Sequence, residues 1–217
     1  MGGINMFLED LKSYYNAGEP IFIKDVLSFF DNKKEVTIRK QFQRLSEDNK
    51  LINAGNGTYF FPIKNSLGDL KSPDFNDVLN KKYIDSIDGN KRGYYSGLTL
   101  MNKLGLSYQI PNIKEITTNI EKSRRRVTSI MGRKVILRKP RTEINKNNVF
   151  VLEFLDLITV FGKYLDIEEK EALKIISTYY KSKGVTFKGI LSYLKYYPAL
   201  TSKKIWEYKI YDEFTSR

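Results

Sequence analysis

Apolar residues between positions 5 and 63 recur first at helical spacing and then in short strand-like runs. The dipeptide Asp31-Asn32 marks a helix end, and the Asn56-Gly57 step favours a tight hairpin because both residues tolerate positive φ. In order, the predicted elements are a helix over 6–16, a strand over 21–23, helices over 24–30 and 35–48, and strands over 51–52 and 59–61. This order predicts a winged helix-turn-helix over residues 5–63.

The helix over 35–48 shows which of its faces is buried. At 100° per residue, Ile38, Phe42 and Leu45 lie within about 60° of one another and form an apolar seam. Polar residues on the rest of the helix have the chemistry to read base edges and grip phosphates. The predicted DNA contacts are Thr37, Arg39, Lys40, Gln41, Gln43 and Arg44, with Asn56 and Thr58 from the wing. The alternative is a solvated helix face and a hairpin that only closes the core.

Beyond residue 63 the pattern predicts a second, larger domain. A polar linker over 64–73 precedes this domain, which spans 74–217. Its predicted elements are helices over 74–84 and 94–104, strands over 114–119, 125–130 and 134–139, and helices over 149–161, 167–182, 186–195 and 201–214. We therefore expect an α+β protein in which a winged helix-turn-helix precedes a mixed domain with a small antiparallel sheet and several helices.

The chain carries a formal net charge of +12, which suggests an anionic partner. Residues 1–64 are nearly neutral, with nine basic and eight acidic residues, whereas residues 114–146 hold eleven basic and three acidic ones. Anion contacts are therefore predicted in the second domain, with DNA phosphate first and an acidic protein face or RNA as alternatives. The predicted contacts are Arg124, Arg125, Arg126, Arg133, Lys134, Arg138 and Lys139.

The residue inventory excludes several classes of site. Cysteine and histidine are both absent, which removes thiol nucleophiles, disulfides and the usual zinc sites. Asp74, with Glu168 and Glu169, only faintly resembles the acidic set of a metal-dependent nuclease, so we expect no enzyme, no metal and no cofactor. No apolar run is long enough to span a membrane. The start does not read as a signal peptide, and we expect a cytoplasmic protein.

The C-terminal part of the chain is rich in aromatic residues. Its members are Tyr179, Tyr180, Tyr193, Tyr196, Tyr197, Trp206, Tyr208 and Tyr211. They are predicted to fill the core by default. The alternative is that some of them form a dimer or partner surface, because tyrosine and tryptophan are enriched at interfaces.

Several motifs in one order carry a family resemblance. They are the segment from Gly93 to Asn112, with its Leu104-Gly105-Leu106 and Gln109-Ile110-Pro111 steps, the Thr118-Asn119 strand end, and the basic hairpin from Ser123 to Pro140. Together with Gly57 to Pro62, this order resembles the AbiEi family, the antitoxins of abortive-infection type IV toxin–antitoxin systems. The resemblance covers roughly residues 5–145.

The resemblance implies a regulatory protein that need not form a stable complex with its toxin. Such antitoxins bind inverted repeats in double-stranded DNA of their own promoter, repress the operon, and counter a toxin of nucleotidyltransferase type. The C-terminal domain carries the antitoxin activity and assists DNA binding. We therefore expect an autoregulating antitoxin in phage resistance. The alternatives are a winged-helix protein-interaction module and a general transcriptional regulator with no antitoxin role.

Overall fold

A computed structural model describes residues 2–30, 34–64, 68, 70–71, 73–86 and 88–215. The predicted helix end at Asp31-Asn32 and half of the predicted linker lie outside these residues. The chain forms two compact units: the first comprises residues 1–82 with 129–133, and the second comprises 83–128 with 134–217. The boundary therefore falls at 82/83 rather than in the predicted linker.

The first unit contains both helices and short strands. Its elements are α1 (Gly2–Tyr14), β1 (Ile21–Phe22), α2 (Ile23–Phe29), α3 (Glu35–Glu47), β2 (Ile52–Gly55), β3 (Thr58–Phe60), β4 (Ile63–Lys64), β5 (Leu70–Lys71) and α4 (Phe75–Leu79). A π-helical turn over Asn80–Ile84 continues α4. Strands β1, β3 and β2 form an antiparallel sheet in that order, and β4 pairs with β5 inside the segment predicted as a linker.

One apolar core holds the first unit together. Phe7 and Leu11 of α1, together with Val26 of α2, are fully buried against α3 and the sheet. The core needs α1 because two short helices and a three-stranded sheet cannot cover their own apolar faces. Each element predicted for residues 5–63 is present, and the observed end points differ from the predicted ones by up to four residues.

The second unit surrounds a mixed sheet with helices. Its elements are β6 (Gly93–Tyr95), α5 (Gly97–Lys103), β7 (Lys114–Thr118), β8 (Arg125–Ile130), β9 (Arg133–Arg138), α6 (Val149–Val160), α7 (Glu169–Ser182), α8 (Phe187–Leu194), α9 (Ala199–Glu207) and α10 (Ile210–Thr215). Helix α6 is buried along most of its length and packs against α5, α7, α8 and α9. The α+β class is therefore confirmed. No helix in the described ranges has both the length and the apolar character needed to cross a bilayer.

The sheet of the second unit corrects the prediction of an antiparallel sheet. Its strand order is β6-β7-β9-β8, and β7 and β9 run parallel, with Ile116 opposite Leu137. Strand β9 takes the inner position because Val135 and Leu137 are fully buried. Strand β8 exposes nearly all of its side chains, and such a polar strand suits the edge of a sheet.

Two predicted helices also differ from the structure. Tyr94 and Tyr95, predicted at the start of a helix over 94–104, instead belong to β6 because they pair with Thr117 and Ile116. The single helix predicted over 201–214 is broken at Lys209, whose φ is 49°. Both differences arise from contacts and backbone conformations that a helical spacing of apolar residues does not encode.

Gly93 is expected to tolerate no side chain. A Cβ atom there would lie 2.2 Å from the Tyr83 carbonyl oxygen and 2.7 Å from that of Thr117, both backbone atoms. Gly93→Ala should therefore lower the free energy of unfolding by about 1–3 kcal/mol or more. Gly189→Ala is the matched control, because its Cβ meets only atoms at 3.4 Å or beyond and it lies inside α8. The control should be neutral or gain about 0.5–1 kcal/mol in urea unfolding.

Glu153 is expected to make the stability fall as pH rises. Burial raises the pKa of this carboxyl from 4.5 to about 7, although the Tyr180 hydroxyl donates to it at 3.0 Å. The folded state therefore binds more protons than the unfolded state between these two values, and stability is lost across that window. Glu153→Gln should remove up to about 3 kcal/mol of this loss. Tyr180→Phe should enlarge the loss and extend it to higher pH, because removal of the hydroxyl donor raises the Glu153 pKa further. Equal unfolding free energies at pH 5 and pH 8 in the wild type would exclude this role.

Candidate nucleic-acid interface

The buried seam of α3 sets the orientation of this helix. Ile38, Phe42 and Leu45 are all fully buried, which confirms the predicted seam. The Phe42 ring meets the Phe7 ring edge-on at 5.6 Å between centroids and the Tyr59 ring at 4.8 Å. Because three apolar side chains on one stripe face the core, the other side of α3 faces outward.

Four of the residues predicted on α3 are exposed on that outward side: Thr37, Lys40, Gln43 and Arg44. Within the described part of the chain, neither Lys40 nor Arg44 forms an ion pair. Gln43 donates to the Glu47 carboxylate at 2.9 Å. The open surface of α3, defined here as these four residues, therefore combines two available cations with an amide and a hydroxyl.

Arg39 and Gln41, the two other residues of α3 that were predicted to contact DNA, do not belong to this open surface. Arg39 pairs with Glu35 one turn earlier, at 2.6 Å between Nη2 and Oε1. Both side chains are more than half exposed, so this pair is weak and an anion can displace it. Gln41 is half-buried, and its Oε1 atom is buried with no hydrogen-bond partner in the described structure. Gln41 is therefore removed from the open surface of α3.

The wing is held in place by a lysine that the sequence did not single out. Lys82 Nζ donates to the Asn56 carbonyl oxygen at 2.6 Å and to Thr58 Oγ1 at 2.7 Å, and it lies 5.3 Å from the Phe22 ring centroid. Burial lowers the pKa of Lys82 to about 8. Thr58 is fully buried, so its prediction as a DNA contact is wrong: its side chain points inward, to Lys82.

The hairpin tip over residues 129–133 belongs to the first unit and contacts the wing. The Asn56 side-chain amide donates to the Ser129 carbonyl oxygen, and the Met131 N–H donates to the Ala54 carbonyl oxygen at 3.2 Å. The Arg133 guanidinium lies 5.0 Å from the Phe75 ring centroid. The Asn56 side chain is exposed, but it is already hydrogen-bonded to the hairpin tip. Contacts between residues more than seventy positions apart cannot be predicted from the local sequence.

A buried carboxylate organises the start of the basic hairpin. Glu121 is only 4% exposed and accepts from the Ser123 N–H at 2.9 Å, the Ser123 hydroxyl at 2.6 Å and Arg126 Nε at 2.7 Å. Burial raises its pKa, but these donors outweigh burial and hold the pKa at about 2. Arg126 is therefore committed to Glu121 rather than to an external anion.

Arg138 is held in the same way by the neighbouring strand. Its Nε lies 2.6 Å from Glu115 Oε1, and the Glu115 side chain is only 18% exposed. Arg133 is also exposed, but its guanidinium lies over the Phe75 ring. The other hairpin cations are exposed and form no ion pair in the part of the chain that the structure describes: they are Arg124, Arg125, Lys134 and Lys139. We call these four residues the open hairpin cations.

The acidic residues considered for a metal site have structural contacts. Asp74 caps α4, where its Oδ1 accepts from the N–H groups of Asn76 at 2.8 Å and Asp77 at 3.1 Å. Glu169 accepts from the Tyr208 hydroxyl at 3.2 Å. Across the described ranges there is no group of three or more histidine, cysteine, aspartate or glutamate residues that could hold a metal ion.

The fold and these surfaces define an α+β protein that presents available cations on α3 and on the β8–β9 hairpin. A family model matches residues 7–184, and the chain therefore belongs to that family, DUF6088, which is described as a family of unknown function. No curated protein matches the chain. The family description names no activity.

Proposed function

We propose that this protein is a cytoplasmic, sequence-specific DNA-binding repressor that serves as the antitoxin of a type IV toxin–antitoxin operon. The observation that carries the DNA-binding part is the open surface of α3, opposite a fully buried seam. Helices α2 and α3 followed by the β2–β3 hairpin have the order expected of a winged helix-turn-helix, in which the second helix enters the major groove.

The side chains on this surface suit base recognition. Arg44 and Lys40 have donors for guanine O6 and N7, and the Gln43 amide is able to pair with adenine. Thr37 offers a methyl group for contact with thymine. Gln43 must first release Glu47, and this exchange costs little because both groups are exposed.

The open hairpin cations support binding to the DNA backbone. Four exposed cations without carboxylate partners attract phosphate and release its condensed counterions. Glu121 and Glu115 keep Arg126 and Arg138 out of this set, so phosphate contact is assigned to Arg124, Arg125, Lys134 and Lys139.

The antitoxin role rests on the resemblance of residues 5–145 to AbiEi-type antitoxins. The partner would be a nucleotidyltransferase-like toxin, countered without a stable complex. A neighbouring gene for such a toxin is the genetic arrangement that this role requires. If co-expression of the two proteins left the toxin fully active, the antitoxin role would fail while DNA binding could still stand.

A second candidate function is a protein-interaction module that contacts no DNA. The near-neutral charge of residues 1–64 favours it, because most DNA-binding units carry a basic excess. The two functions differ in salt dependence. A pure interaction module shows no binding to duplex DNA that weakens as salt is raised.

Arg44→Ala should weaken binding to the promoter DNA upstream of the gene by about 1–3 kcal/mol and relax the preference at one base position. The reason is loss of a bidentate contact to a base edge. Fluorescence anisotropy on promoter and random duplexes measures both effects. Lys50→Ala is the control, since this exposed lysine follows the end of α3. Wild-type affinity of the Arg44 variant for the promoter would refute base reading by α3.

Replacing Arg124 and Arg125 with glutamine should weaken binding to every duplex alike. The slope of log affinity against log salt should flatten by about 0.9 for each lost phosphate contact. Arg126 is left intact because its replacement would leave the buried Glu121 carboxylate without its paired cation. Lys195→Gln provides the control, an exposed lysine of the C-terminal helices. An unchanged slope in the double variant would remove the hairpin from the DNA interface.

A further inference from the structure

The C-terminal helices expose an apolar surface that the DNA-binding role does not use. Trp206 is 60% exposed, Leu191 47% and Tyr211 45%. The Phe187 ring joins them, with its centroid 6.3 Å from that of Trp206 and 5.0 Å from that of Tyr211. Leu191 follows Phe187 by one helical turn on α8. We call these four residues the C-terminal aromatic patch.

This patch is not required for the packing of the helices that carry it. The core side of the same helices is filled by other residues, with Ile190 of α8, Ile205 of α9 and Ile210 of α10 buried. Tyr180 and Tyr197 are buried too, so the predicted core role holds for part of the aromatic tail only. The outward aromatic residues are therefore a second apolar face on helices whose core face is already satisfied. The matched family region ends at residue 184, before this patch begins.

We propose that the C-terminal aromatic patch is a self-association surface and that its partner is the same patch on a second copy of this chain. The charge around it favours this occupant. Residues 187–215 hold five basic and three acidic residues, so two copies meet with little repulsion. An acidic partner would instead be drawn to the hairpin region, where the basic excess lies.

The charges beside Trp206 are also self-complementary. Lys203 and Glu207 form an exposed ion pair on α9 at 3.3 Å, with side chains 68% and 53% exposed. A two-fold contact presents the same surface from both copies, so each cation has an anion available on the opposing copy. A surface with one sign of charge would not allow this pairing.

The area of the patch suits a reversible dimer. From the exposed fractions of its large side chains, the patch offers about 350 Å² per copy, or about 700 Å² in a two-fold contact. A standard interface of about 1,600 Å² contains about 900 Å² of apolar area. The patch therefore supplies most of the apolar centre, and the polar rim supplies the rest.

Trp206 reports on this association directly, because it is the one tryptophan of the chain. The full-length protein would be diluted from about 200 µM to below 1 µM and followed by sedimentation velocity and tryptophan emission, without DNA. We expect a dimer-to-monomer transition accompanied by a red shift of the Trp206 emission at the same midpoint. A monomer at every concentration would overturn the proposal, and so would a dimer that leaves the emission unchanged.

Variants locate the surface. Trp206→Ala and Leu191→Ala should each raise the dimer dissociation constant about tenfold or more, because buried aromatic and apolar anchors dominate interfaces. Tyr108→Ala is the matched control: Tyr108 is 72% exposed in the same unit but outside the patch, and its loss should leave the constant unchanged. Equal effects of the Trp206 and Tyr108 changes would overturn the assignment.

The readout is independent of the proposed function. The link to inverted repeats does rest on DNA binding, since a symmetric dimer presents two copies of α3 to two half-sites. Because self-association is measured without DNA, a dimer that binds no duplex leaves this proposal standing and removes the repressor. A monomer that binds its promoter would overturn this proposal and leave the DNA-binding role standing.

Discussion

The packing of Phe42 between Phe7 and Tyr59 is the contact on which the proposed interface depends. It fixes the rotation of α3 about its own axis, because the ring touches α1 on one side and the sheet on the other. With Ile38 and Leu45 buried beside it, Lys40 and Arg44 have only the outward side available. A change in this core would therefore alter the open surface of α3 before any surface residue was changed.

Two carboxylates, buried Glu121 and half-buried Glu115, divide the arginines of the hairpin into two groups. Glu121 and Glu115 are costly to bury as charges, and each is compensated by a guanidinium at 2.6–2.7 Å. Arg126 and Arg138 therefore stabilise the fold, while Arg124 and Arg125 lie outside this compensation. A count of basic residues alone overstates the number of cations that are available to a nucleic acid.

Polar groups of the β2–β3 hairpin are likewise hydrogen-bonded within the protein. Lys82 satisfies both Thr58 Oγ1 and the Asn56 carbonyl oxygen, and the Asn56 amide is bound to the hairpin tip. This arrangement holds the β2–β3 turn in one conformation, with positive φ at Asn56 and Gly57. The β2–β3 turn therefore contributes rigidity to the first unit, and under the proposed function base recognition falls to α3. The aromatic residues near the C-terminus also fall into two groups: Tyr180 is buried in the core, whereas Trp206 is exposed.

Local pattern alone determined the elements of residues 5–63, the seam of α3 and the tight turn at Asn56-Gly57, because these depend on residue spacing and on the φ angles that asparagine and glycine tolerate. Tertiary structure decided that residues 93–95 form a strand, that β9 lies between β7 and β8, that Thr58 faces inward, and that Arg126 and Arg138 pair with Glu121 and Glu115. The reason is physical. Strand pairing and the pairing of a buried charge both join residues that are distant in the chain. The energies of these interactions depend on partners that lie outside any short stretch of sequence.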